Sequence, residues 1–82
     1  MTHEQALGLV TEALNGVVPD AELASLGPDE KFREVLEVDS LDFLRFVEAL
    51  SGLTGVRLDE DDYQDLTTLA DGARLVAARA GV

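Results

Sequence analysis

The 82-residue chain has no cysteine and no tryptophan, one tyrosine, one histidine, two prolines and only six lysines and arginines. Each scarcity closes a class of function. Without cysteine there is no disulfide, no thiolate metal ligand and no thiol nucleophile, so packing alone holds the fold and any thiol chemistry must be brought in from outside. Against the six bases stand seventeen acids, a net charge of −11 and a pI near 4.1. That balance repels nucleic-acid phosphates and anionic lipid, and it makes basic patches on other proteins the expected partners. No apolar run approaches the roughly 20 residues of a bilayer span, and no basic segment followed by an apolar one opens the chain. No membrane contact is expected, and the cytoplasm is the expected location.

What the chain does have is 46% apolar residues spread over its whole length. This is too hydrophobic for disorder and too short for a deep enzymatic cleft, which predicts one small domain over 1–82 that folds alone as a monomer. The methionine start and the full set of helices lead us to expect a free-standing protein, with a domain excised from a larger one as the alternative. Thr2 and Gln5 form a capping box before a helix whose apolar face carries Leu7, Val10, Leu14 and Val17, with Pro19 as its stop. From Pro19 to Val38 the pattern loosens into a long loop, with at most a turn of helix, anchored by Leu23, Leu26, Phe32 and Leu36. Loops of more than about 12 residues in compact domains are often functional.

A second helix begins at Asp39 or Ser40. Leu41, Leu44, Val47 and Leu50 are read as one face, supplemented by Phe43 and Phe46, with Gly52 and Gly55 closing it. The acidic "LDEDDYQDL" predicts a short third helix capped by Asp59, and "TTLADGARLVAARA" a fourth, capped by Thr68, with Leu69, Ala73, Val76, Ala77 and Ala80 inward. The expected fold is all-α: a small four-helix bundle, three main helices and one short one, with a long loop between the first two.

The stretch "EVDSLDF" places Ser40 between Asp39 and Asp42 where the second helix starts. A helix N-terminus offers unpaired N–H groups and partial positive charge, a natural seat for a phosphate, so a serine there can carry a phosphodiester without strain. The flanking aspartates can help hold a metal ion during such a modification, and Leu41 offers an approaching enzyme an apolar handle. The setting suits a serine that is acted upon better than one that acts, because His3 is far away in sequence and nothing nearby supplies a general base or an oxyanion pocket.

"LEVDSLDFLRFVEAL", preceded by the long loop and followed by "LDEDDYQDLTTLADGARLV", resembles the acyl carrier protein family from about Phe32 to Ala77. D-S-L alone is a weak signal; D-S-L-D opening an amphipathic helix in an acidic four-helix chain is a strong one. The resemblance implies that Ser40 receives 4′-phosphopantetheine from coenzyme A and that the arm's thiol carries acyl groups as thioesters. It implies no catalysis by the chain itself. The partners it implies are a phosphopantetheinyl transferase and acyl-activating, ketosynthase or acyltransferase-type enzymes with basic docking patches, met by Asp39, Leu41, Asp42, Arg45 and Glu48. Leu44, Phe46, Val47, Leu50 and Leu66 are expected to line the space between the second and third helices that, in carriers, can open to an acyl chain. Residues 29–65 hold twelve acids and four bases, a net −8 of the total −11, and charge of this kind speeds encounter more than it tightens a complex.

Several positions depart from the family's common pattern. Glu37 stands where glycine is usual, two places before the motif's aspartate. Arg45 replaces an acid of fatty-acid-synthesis carriers, Ser51 and Gly52 replace acids toward the helix end, and Glu48 replaces an apolar surface residue. These changes leave the modification site intact and favour a dedicated pathway, polyketide or another specialised acyl product, over general fatty acid biosynthesis. Aminoacyl and peptidyl carriers tend to be less acidic and often have histidine where Asp39 stands.

Plainer readings exist for each residue. Ser40 or Asp39 can be an ordinary N-cap, Asp42 a first-turn acid, and Arg45 a surface partner of Glu48 or Asp42. The cluster Asp59 to Asp62 fails as a calcium loop, having Gln64 and Ala70 where glycine and glutamate are required, and reads as a solvated helix start; no metal site is expected. The alternative function is an unmodified acidic helical protein that binds or inhibits a basic partner.

Overall fold

The computed structural model describes residues 1–80. Helix α1, His3–Asn15, opens with the expected box: the Gln5 amide donates to Thr2 Oγ1 at 3.1 Å and the Thr2 amide to Gln5 Oε1 at 3.0 Å. Its buried stripe is Ala6, Val10, Ala13 and Leu14, with Leu7 and Val17 only half-buried. The helix ends at Gly16, before Pro19, which instead caps the single-turn α2, Asp20–Leu23. A second single turn, α3, spans Phe32–Val35, so the expected loop is more helical than its sequence suggests. Phe32 is the anchor: its side chain is fully buried and its amide donates to Thr67 O at 3.2 Å, while the Ala70 amide donates to Pro28 O at 3.0 Å. These bonds pin the segment to the start of the last helix.

Helix α4, Ser40–Thr54, is stopped by Gly55, whose φ of 71° needs the freedom of a residue without Cβ; Gly52 lies inside the helix and closes nothing. The expected short third helix is a 310 helix, Glu60–Asp65, at whose start the Asp59 amide donates to Asp62 Oδ2 at 2.8 Å and the Asp62 amide to Asp59 O at 2.9 Å. Helix α5, Leu69–Ala80, starts as expected from Thr68, whose Oγ1 accepts from the Asp71 amide at 3.0 Å. Three long helices and one short one thus form the bundle, with α1 packed on both α5 and α4. Gly72 lets α1 and α5 approach, since a Cβ there would lie 3.2 Å from Val10 Cγ1. Among the described residues no helix is long and apolar enough to cross a membrane.

Three expectations about burial need correction. The row Leu41, Leu44, Val47, Leu50 is not one face: a step of three residues turns about 300°, so the row slips about 60° each time and only its last members reach the core. The buried face is Phe43, Phe46, Val47 and Leu50, whereas Leu41 and Leu44 are 59% and 43% exposed. In α5, Leu69, Ala73 and Val76 are buried, but Ala77 is half-buried and Ala80 exposed at the last described turn. Asp62 is no solvated acid: it is 6% exposed, and both its oxygens accept from the Arg79 guanidinium, Oδ2 at 2.9 Å. Asp59, Glu60 and Asp61 are exposed as expected.

Candidate functional site

Ser40 is the first residue of α4 and is exposed. The capping duty that either Asp39 or Ser40 could fill belongs to Asp39, whose Oδ1 accepts from the Asp42 amide at 2.8 Å and whose carbonyl accepts from the Phe43 amide at 2.9 Å. The Ser40 hydroxyl is therefore not spent on the helix. Among the described residues it has no hydrogen-bond partner, and it stands beside the positive end of a helix four turns long. The amides at that end and the free hydroxyl fit a phosphodiester.

The residues singled out for partner recognition lie around it. Asp39, Leu41, Arg45 and Glu48 are exposed and Asp42 is half-buried. Arg45 pairs with Asp42 at 3.8 Å, not with Glu48; both side chains are substantially exposed, so the pair adds little stability. Leu44, expected to line an interior space, is on this outer face with Leu41. Phe46, Val47, Leu50 and Leu66 are buried together in the core. The Asp62 carboxyl, on the 310 helix, is held below the usual carboxylate range, first by the hydrogen bond from Arg79 and then by the Asp59 amide. That commits it to structure and removes it from any cation site.

Two features escaped the sequence reading. Phe43 belongs to an aromatic cluster with Phe32, Phe46 and Tyr63, and the Arg33 guanidinium lies 4.4 Å from its ring centre. Phe43 and Phe46 are visible as aromatics at helical spacing, but nothing local reveals that residues 32, 33 and 63 converge on them. Glu37 has φ 54°, alone among the described non-glycine residues in having a positive φ. The signal was in the sequence: the position where the resembled family usually has glycine is one where this backbone is left-handed.

The model of the phosphopantetheine attachment site family matches residues 5–76. The chain belongs to the acyl carrier protein family of phosphopantetheine-bearing carriers. An acyl carrier protein of Acidothermus cellulolyticus is 29% identical over 79 residues, which span 94% of this chain and 90% of that protein. No solved structure matches the chain significantly. A carrier of this family is non-catalytic and holds 4′-phosphopantetheine covalently, and it works with phosphopantetheinyl transferases and acyl-handling enzymes.

Proposed function

We propose that Ser40 is the residue to which this carrier's phosphopantetheine is joined, and that the loaded carrier serves a dedicated acyl pathway in the cytoplasm, as a single-domain monomer. The observation that carries the first part is the division of labour at the start of α4. Asp39 caps the helix, and the neighbouring Ser40 presents a free hydroxyl to solvent. In the modification the Ser40 oxygen forms a bond to the β-phosphorus of coenzyme A, the adenosine bisphosphate leaves, and the hydroxyl proton passes to a base on the transferase. Once attached, the arm supplies a thiol for thioester chemistry, which a chain without cysteine does not have.

The chain's own residues present the arm. The amides at the α4 N-terminus favour the phosphate charge, and Leu41 offers 59% of its surface beside it. Asp39, Asp42 and Glu48 draw basic docking patches on the transferase and on acyltransferase or ketosynthase-type enzymes. Arg45 and Glu48 support a specialised pathway, polyketide or another dedicated acyl product, because they change the charge pattern of the exposed face while leaving the attachment point alone.

Intact-mass spectrometry tests the attachment. Incubation with coenzyme A, magnesium and a broad-specificity phosphopantetheinyl transferase adds one phosphopantetheine to the wild type and none to Ser40→Ala, whose fold is unchanged by circular dichroism. A gain on Ser40→Ala, or none on a folded wild type, overturns the reading.

A further inference from the structure

An apolar group tethered at Ser40 is drawn toward the nearest apolar interior. The way in runs down α4: Phe43 lies one turn below Ser40, Phe46 and Val47 one turn below that, and Leu50 beyond. Phe43 is 3% exposed and engaged on several sides. Phe46 and Phe32 stand 6.0 and 6.4 Å away between ring centres, and Tyr63 of the 310 helix meets it edge-on at 5.4 Å. Over the ring lies Arg33 of α3, 4.4 Å from its centre. One side chain therefore ties α3, α4 and the 310 helix together at the end of the bundle where Ser40 stands.

The position of Arg33 sharpens this. Arg45, Arg57, Arg74 and Arg79 each pair with an aspartate. Arg33, in a chain with seventeen acids, pairs with none among the described residues and rests on the ring instead. A cation over an aromatic face is attracted by the ring's negative face and also shields it from water. Five surface depressions on the described residues are lined by other side chains than Phe43, Phe46, Val47 and Leu50.

We propose that Phe43, latched by Arg33 and Tyr63, is a closure between the attachment point and the interior, so that an apolar cargo of medium length rides outside the bundle. The inference rests on attachment at Ser40 and names what then decides where the cargo lies. Phe43 is a positioning residue in this role, since it acts through the path it blocks.

The test loads isotope-labelled wild type with pantetheine, acetyl-pantetheine or octanoyl-pantetheine from the corresponding coenzyme A compounds, with intact mass as the check on loading. Absence of any mass gain overturns the attachment reading and this inference with it. In loaded protein, amide resonances of the octanoyl and unacylated forms are expected to differ only around Ser40, and hydroxylamine to cleave octanoyl and acetyl thioesters equally fast. In Phe43→Ala the octanoyl form is expected to shift Val47, Leu50 and Leu66 and to be cleaved more slowly. Phe43→Leu removes the ring with less loss of volume and gives the same interior shifts should the alanine variant not fold. Interior shifts in octanoylated wild type, or none in either folded variant, overturn the closure.

Discussion

The two faces of α4 are both rich in apolar residues, yet they do opposite work. The inner face, Phe43, Phe46, Val47 and Leu50, is buried against the rest of the bundle. The outer face shows Leu41 and Leu44 to solvent beside Ser40, Arg45 and Glu48. Exposed leucines make no core and add little to folding, so with attachment at Ser40, as proposed, they are free to meet other proteins. A helix that looks evenly amphipathic in composition is thus divided lengthwise into a structural half and a presenting half. The ion pairs divide likewise: Asp62 and Arg79 meet at a buried carboxylate, Asp42 and Arg45 at an exposed one.

The strongest way to sharpen this contrast is to truncate one residue on each face. Phe46→Ala, at a fully buried ring, is expected to lower stability by about 3 to 5 kcal/mol, and Leu41→Ala to change it by less than about 0.5 kcal/mol while slowing modification by the transferase. Chemical denaturation measures the first and the rate of mass gain the second. Equal losses of stability would break the division between the faces.

The ion pairs come next. Asp62→Asn leaves Arg79 without its carboxylate and is expected to lower stability by about 2 kcal/mol, whereas Asp42→Asn changes it by under about 1 kcal/mol. The Asp62 carboxyl has a lower pKa folded than unfolded, so its contribution is fully present above about pH 4, the unfolded value, and is lost as the pH falls through the folded value below that. Denaturation midpoints followed downward from pH 5 should therefore fall less steeply in Asp62→Asn than in wild type.

On the outer face, Arg45→Glu restores an acid common in fatty-acid-synthesis carriers. In a carrier of a dedicated pathway it is expected to raise the rate of malonyl transfer by a general fatty acid synthase transferase about tenfold at low salt, an advantage that fades as salt screens it. A last effect is expected outside both faces, on the approach to Ser40. Glu37→Gly relieves a left-handed residue and should raise stability by about 1 kcal/mol, read from the thermal midpoint, with the rate of pantetheine attachment unchanged.

Much of the bundle was legible because it rests on local rules. Thr2, Asp39 and Thr68 act as caps through their own side chains, and Gly55 ends α4 because only its backbone takes the turn easily. The D-S-L-D motif likewise singles out Ser40, the proposed attachment point, from its neighbours in sequence. The misread row in α4 failed for a reason of geometry, since four leucines and valines three apart precess around a helix of 3.6 residues per turn and leave the face they started on.

The sequence by itself determined the three long helices, the caps at Thr2 and Thr68, the surplus of negative charge and the serine at the head of α4, nearly all properties of residues within a few places of one another. Which of two neighbouring residues caps that helix was left open, and the tertiary structure gives that duty to Asp39 through a local bond from the Asp42 amide. Only the tertiary structure decided that Asp62 is a buried partner of Arg79, and that Arg33, Phe43 and Tyr63 meet beneath Ser40. Those contacts join separate elements, and they exist because burying the aromatic rings brings α3, α4 and the 310 helix together at one end of the bundle.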